Sequence, residues 1–192
     1  MAEELRIGEL TGMRKLILLA AAAACFTSLP GSTLQRLSLN DMILKSTTIV
    51  RGSIQPGTST ALRGPLLYTH YQLMVTAAFK GTPGQVIDLA VPGGALSGMQ
   101  QPVAGAPQLY PVQDYLVFLW TSKTGLTQVI GLSQGLFNIA TNAQGQVMVS
   151  RGAANATMLD SSGQVVADSS LQMPLSQMIT KIQTVLAGGP GQ

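Results

Sequence analysis

Hydrophobic and polar positions alternate along most of the chain beyond residue 38, and such alternation is typical of β-strands. The clearest predicted strands are TTIVRGSI (47–54), YTHYQLMVTAAF (68–79), QVIDLAV (85–91) and DYLVFLW (114–120), and shorter ones are TQVIGL, LFNIAT and QVMVSR. Turns that contain glycine separate these segments. The stretch from Leu116 to Leu119 contains no polar position, so we expect a central strand that is covered on both faces.

Two segments follow helical spacing instead. The first, residues 38–45, begins with Ser38, and Asp41 three positions later can complete a capping box. The second, at about 174–187, places its apolar residues on one face and ends at glycines. Because strands outnumber helices and do not alternate with them, the sequence predicts a mostly β fold. We expect a small antiparallel barrel or sandwich with a short N-terminal helix and a C-terminal helix.

Two further stretches are predicted to be loops. One is STALRGPL (59–66), and the other is the glycine-rich AVPGGALSGMQQPVAGAP (90–107). Glycine-rich loops after strands can cradle phosphates, but this one has no lysine, and Gly94 and Gly98 do not have the spacing of a phosphate-binding motif. We therefore interpret 90–107 as a flexible crossover between strands.

The N-terminal segment has the order of a secretory signal peptide. In residues 13–33, Arg14 and Lys15 are followed by an apolar stretch and then by small and turn-forming residues. We therefore expect translation to begin at Met13 and the protein to be exported, to the periplasm or the extracellular space. Residues 1–12 are then a leader outside the native protein or the product of a mistaken start site.

Cys25 is the only cysteine, and it follows a run of alanines. Two expectations stay open. Cys25 can be lipidated as the first residue of a lipoprotein, or an ordinary signal peptidase can cleave after Ala24 or further on. In both cases the protein meets the membrane only through its signal or a lipid anchor. Residues 34–187 are expected to form a single β-rich domain, followed by a disordered tail at 188–192.

Charge is sparse in this chain. Charged residues make up 10% of it, the formal net charge is +3, and beyond residue 24 the lysines and arginines are scattered singly. Nucleic-acid binding needs a clustered basic surface. We therefore expect no nucleic-acid partner.

The order of elements over about residues 38–140 is similar to that of known proteins. The similarity depends on three stretches, LNDMILKSTTIVRGSI, YQLMVTAAFKGTPGQVIDLAVPGG and YPVQDYLVFLWTSKTGLTQVIGLSQGLFNI. In this order the chain resembles exported bacterial proteins of unknown function and the netrin-like module of tissue inhibitors of metalloproteinases. The resemblance implies an OB-type barrel. In those inhibitors an N-terminal cysteine chelates the target zinc, but a lipidated Cys25 would have an acylated amine, so inhibition does not carry over.

Three residues are the candidates for a site. His70 is the only histidine and can act as a general base, while Asp88 and Asp114 are among the aspartates that could form a catalytic pair. Each also has an ordinary explanation as a strand or turn residue. The sequence offers too few ligands for a zinc site. We therefore expect no catalytic, cofactor-binding or metal site.

These observations favour a non-catalytic, exported binding or scaffolding module of the bacterial cell envelope. Its partner would be an envelope protein or a ligand that the sequence does not identify, and no cofactor is expected. Two alternatives stay open. One is an envelope hydrolase that uses His70 or a pair of aspartates. The other is a protease-inhibitor-like module, which needs a free mature N-terminus.

Overall fold

The structure is a computed structural model that describes residues 33–154 and 156–188, and in these ranges it is mostly β. The expected leader, the signal segment up to residue 32 with Cys25, and residues 189–192 of the expected tail lie outside the described residues. Within the described ranges, neither helix is long and apolar enough to cross a membrane.

Thirteen strands and two helices make up the described part of the chain. The strands are β1 (Thr33–Gln35), β2 (Thr48–Arg63), β3 (Leu66–Lys80), β4 (Val86–Pro92), β5 (Gly94–Leu96), β6 (Met99–Gln101), β7 (Asp114–Thr121), β8 (Thr127–Val129), β9 (Leu136–Thr141), β10 (Val147–Arg151), β11 (Thr157–Leu159), β12 (Val165–Val166) and β13 (Leu171–Pro174). The helices are α1 (Leu39–Lys45) and α2 (Leu175–Leu186). Both helices and the main strands lie where the sequence pattern predicts them.

The main sheet is antiparallel and has the strand order β13-β10-β9-β7-β2-β3-β4. Beyond the end of β9, β8 pairs with the last part of β7. The sheet curls so that β4 also lies beside β8, although no ladder joins these two strands in the described residues and the barrel is not closed. Two small sheets complete the fold: the hairpin β5-β6, and β1-β11-β12, in which β1 and β11 are parallel.

Both predicted loops contain strand structure, so these two predictions are wrong. Residues 59–66 belong to one long hairpin in which Arg63 pairs with Leu66, because only the two residues between them form the turn. Residues 90–107 contain the β5-β6 hairpin. Gly94 packs this hairpin closely on β3, where a Cβ atom would collide with the Thr69 hydroxyl.

Strand β7 is buried on both faces, as the sequence predicts. Leu116 and Phe118 face a core that the two helices cover, and Val117 and Leu119 face the inside of the curl. All four side chains are fully buried. Each such side chain contributes roughly 1.5–3 kcal/mol of hydrophobic stabilisation, so β7 is the centre of the fold.

The helices pack on the sheet through single apolar faces. In α1, the Ser38 hydroxyl accepts the Asp41 N–H at 3.0 Å, and the Asp41 carboxylate accepts the Ser38 N–H at 3.2 Å, which is the predicted capping box. In α2, Met178 and Ile182 are fully buried in the same core as β7, and Ile179 packs against it. A helix of twelve residues is marginal alone in water, so this packing holds α2 in place.

Candidate functional site

Two of the three candidate residues from the sequence meet on neighbouring strands. His70 on β3 places its Nδ1 atom 3.0 Å from each carboxylate oxygen of Asp88 on β4. The His70 side chain is 22% exposed and that of Asp88 is 58% exposed. The two residues are diagonal neighbours, since Gln72 is the residue directly opposite Asp88. Their meeting depends on the register of β3 and β4, which the sequence pattern does not give.

A serine that the sequence analysis missed lies on the other side of this histidine. Ser59 on β2 is directly opposite His70 in the β2–β3 ladder, and opposite residues of an antiparallel pair project to the same face. A hydroxyl, an imidazole and a carboxylate therefore follow one another across three strands. Among the described residues, no hydrogen bond joins Ser59 to His70. The sequence pattern did not indicate Ser59 as a neighbour of His70, because the segment that contains Ser59 was predicted to be a loop.

The other aspartates are each held by their own partner. Asp114 accepts a hydrogen bond at 2.9 Å from Nε of Arg51, and this bond raises the pKa of Arg51. Asp168 forms a buried ion pair with Arg151, with Nη1 and Oδ2 at 2.8 Å. Asp160 accepts backbone N–H groups of its own turn. Within residues 33–154 and 156–188, no three His, Cys, Asp or Glu side chains come together as metal ligands.

A cavity of about 590 Å³ lies between β7–β8, the end of α1 and the segment around Leu37. Trp120 and Gln128 line it from directly opposite positions on β7 and β8. Gln35 and Lys45 also line it. Trp120 is 44% exposed, although it directly follows the fully buried part of β7. This cavity is therefore a place where a large aromatic surface meets solvent.

A second cavity, of about 410 Å³, adjoins the first because Gln35 and Lys45 line both. It continues to Asp160 and Ser161 at the β11–β12 turn. We call the two cavities together the Trp120 groove. Its principal residues are Gln35, Leu37, Lys45, Trp120, Gln128, Asp160 and Ser161.

A buried glutamine fixes one wall of the Trp120 groove. The amide oxygen of Gln134 accepts the Leu37 N–H at 2.8 Å, and its Nε2 donates to the carbonyls of Gln35 at 3.0 Å and Gly131 at 3.3 Å. Gln134 is fully buried and ties together positions 97 residues apart. The sequence predicted only a turn around Gln134. No local sequence pattern indicates a residue whose side chain forms hydrogen bonds to such distant positions of the chain.

Charges around the groove are balanced and locally paired. Lys45 forms an ion pair with Asp41 at 3.2 Å, and the Ser38 hydroxyl is the largest cause of the lowered pKa of Asp41. A guanidinium nitrogen of Arg36 donates to a backbone carbonyl at 3.2 Å. The pKa of Asp160 is also lowered, chiefly by the hydroxyl two residues further along. All four charged groups therefore have ordinary partners, and the groove has no field of one sign.

Comparisons with known proteins give no further assignment, since no family model, curated protein or solved structure matches this chain.

Proposed function

We propose that this chain is a non-catalytic binding or scaffolding module of the cell envelope, and that the Trp120 groove is its binding surface. The observation that carries the proposal is Trp120, a large aromatic side chain that is 44% exposed beside a cavity of about 590 Å³. Recognition sites combine an apolar or aromatic surface with a few polar groups that fix orientation. Gln35 and Gln128 supply such polar groups.

The curl of the sheet supports an OB-type barrel of the netrin-like kind. OB-type barrels are five-stranded and partly open. The strands β8, β7, β2, β3 and β4 are five successive neighbours, and they curl until β4 lies beside β8. The strands β9, β10 and β13 extend the sheet beyond these five. On this proposal, the groove lies where the barrel strand β8 meets the segment around Leu37.

Export is proposed from the pattern that begins at Met13. The mature protein would be periplasmic or extracellular, with a lipid anchor if it begins at Cys25. The intact mass of the mature protein tests both forms, because lipidation adds acyl chains and ordinary cleavage leaves an unmodified N-terminus. A free N-terminus that binds a protease would favour the inhibitor alternative.

A second candidate function is an envelope hydrolase, which the order Ser59, His70, Asp88 favours. In nucleophilic catalysis a carboxylate orients a histidine, and the histidine takes the proton of a serine hydroxyl. Turnover of ester substrates that is abolished both by Ser59→Ala and by His70→Ala would establish this function. It would also contradict the non-catalytic proposal.

The binding proposal is tested by retention of an envelope component on the immobilised full chain. The Trp120→Ala variant should lose the retained component. Val86→Ala is the matched control, because Val86 is also 44% exposed but does not line the groove, and it should behave as the wild type. Equal retention by the wild-type and Trp120→Ala proteins would contradict the proposal.

A further inference from the structure

We infer that the Trp120 groove binds an extended, uncharged glycan. The inference rests on the proposed function, and it goes further because it names the chemistry of the ligand. Three properties of the groove carry it: an exposed aromatic face, side-chain hydrogen-bonding groups that no described residue satisfies, and balanced charge.

The aromatic face matches the structure of a sugar ring. A pyranose has an apolar face of C–H groups and a rim of hydroxyls. Trp120 can cover the apolar face with its indole and still donate from its N–H at the edge. Because Trp120 stands at the end of a buried strand and is 44% exposed, the strand fixes its backbone while part of the residue stays accessible.

The polar groups around the indole suit the hydroxyl rim. No hydrogen bond within residues 33–154 and 156–188 involves the side-chain amides of Gln35 and Gln128, the indole N–H of Trp120 or the hydroxyl of Ser161. An amide offers both a donor and an acceptor, and a sugar hydroxyl does the same. These groups are spread along both cavities, so an extended chain of several sugar rings uses more of them than a single ring does.

The charge balance favours a neutral ligand. Around the groove, two cations, Arg36 and Lys45, face two anions, Asp41 and Asp160. A polyanion such as nucleic acid or an acidic glycan would need a surplus of cations. A fatty acyl chain could fill the cavity, but it would make no use of the hydrogen-bonding amides of Gln35 and Gln128 that line it.

Tryptophan fluorescence gives a readout from the groove itself, because Trp120 is the only tryptophan in the chain. The probes are three neutral hexasaccharides, cellohexaose, chitohexaose and maltohexaose, and one polyanion, a heparin hexasaccharide. At least one neutral probe should change the emission of Trp120 saturably, and the heparin probe should not.

Variants show whether the amides contribute to binding. Gln128→Ala should lower the affinity for the hexasaccharide by about 5- to 10-fold, which is the effect of one lost hydrogen bond. Gln100→Ala is the matched control, because Gln100 is an exposed glutamine outside the groove, and its affinity should equal that of the wild type. Equal affinities for Gln128→Ala and the wild type would overturn the assignment of the site.

The glycan inference and the binding proposal can fail separately. If no neutral hexasaccharide binds, but an envelope protein is retained by the wild type and not by Trp120→Ala, the ligand is not a glycan and the binding function stands. If neither a hexasaccharide nor an envelope component depends on Trp120, both are wrong. Saturable binding of the heparin probe alone would also overturn the inference, because it would show a polyanion site.

Discussion

The ion pair between Arg151 and Asp168 should be the most sensitive electrostatic contact in the fold. It is bidentate, with Nη1–Oδ2 at 2.8 Å and Nη2–Oδ1 at 3.1 Å. The side chains are only 8% and 3% exposed, respectively. Asp168 also accepts the Ala154 N–H at 2.8 Å. The pair therefore ties the end of β10 to the segments before β11 and β13.

Asp168→Asn removes the negative charge and leaves the guanidinium of Arg151 buried without its counter-ion. Breaking one side of a buried ion pair costs roughly 3–5 kcal/mol. A domain of this size has a total stability of roughly 5–15 kcal/mol, so the loss should be a large fraction of it. Adding Arg151→Met should recover much of the loss, because the double variant buries no unpaired charge.

Urea denaturation of the full chain measures these differences as free energies of unfolding. Asp88→Asn is the matched control, because Asp88 is 58% exposed and its contact with the His70 ring lies at the surface. Exposed pairs are worth roughly 0–1 kcal/mol, so this variant should unfold near the wild-type midpoint. Coincident midpoints for Asp168→Asn and Asp88→Asn would refute the reasoning.

The ion pair of Arg151 and Asp168 also predicts that the stability of the protein falls at low pH. Burial, the largest single effect, raises the pKa of Asp168, but the hydrogen bonds from Arg151 and Ala154 together lower it below its ordinary value of 3.8. The stabilisation from the carboxylate is therefore fully present above the unfolded-state pKa and is lost as the pH falls through the lower folded-state pKa. Wild-type stability should fall below about pH 4, and Asp168→Asn should flatten that fall.

Three further predictions concern the core, a close-packed glycine and the wall of the groove. Phe118→Ala removes a fully buried ring and should lower the free energy of unfolding by roughly 3–5 kcal/mol in urea denaturation; a wild-type midpoint would show that β7 is not central. Gly52→Ala should lower the free energy of unfolding by roughly 1–3 kcal/mol, because the new Cβ would collide with the Met74 carbonyl. Gly152→Ala places its Cβ in open space and should leave the stability unchanged. Thermal unfolding compares the two variants, and equal melting temperatures would contradict this packing. Gln134→Leu should speed hydrogen exchange at the backbone N–H that Gln134 accepts and weaken binding in the groove; an unchanged exchange rate would show that Gln134 is not the anchor.

Elements that depend on local sequence could be predicted. The capping box needs only Ser38 and Asp41, which are three positions apart, so its pattern is visible in the sequence and its hydrogen bonds follow. The apolar run from Leu116 to Leu119 likewise requires cover on both faces wherever the strand lies. By contrast, the glycine and proline at 64–65 suggested a longer loop than the two-residue turn they form, because turn signals do not fix where strands end.

The candidate sites depend on pairings that no local pattern contains. His70 meets Asp88 through the register of β3 and β4, and Ser59 joins them through the register of β2 and β3. The groove depends on Gln134, whose partner Leu37 lies 97 positions earlier. Trp120 ends the apolar run of β7, and its half-exposed side chain shows that a residue at the end of a buried strand can face a cavity.

The central proposal is that the Trp120 groove binds a component of the cell envelope, and fluorine NMR tests it most directly. Replacing the only tryptophan with 5-fluorotryptophan gives one signal from the groove and none from unlabelled cell extracts. Addition of an envelope fraction should shift or broaden that signal, and a cytosolic fraction should not. If the signal keeps its position and width in the envelope fraction while the same fraction is retained by the immobilised chain, the partner binds elsewhere and the claim is wrong.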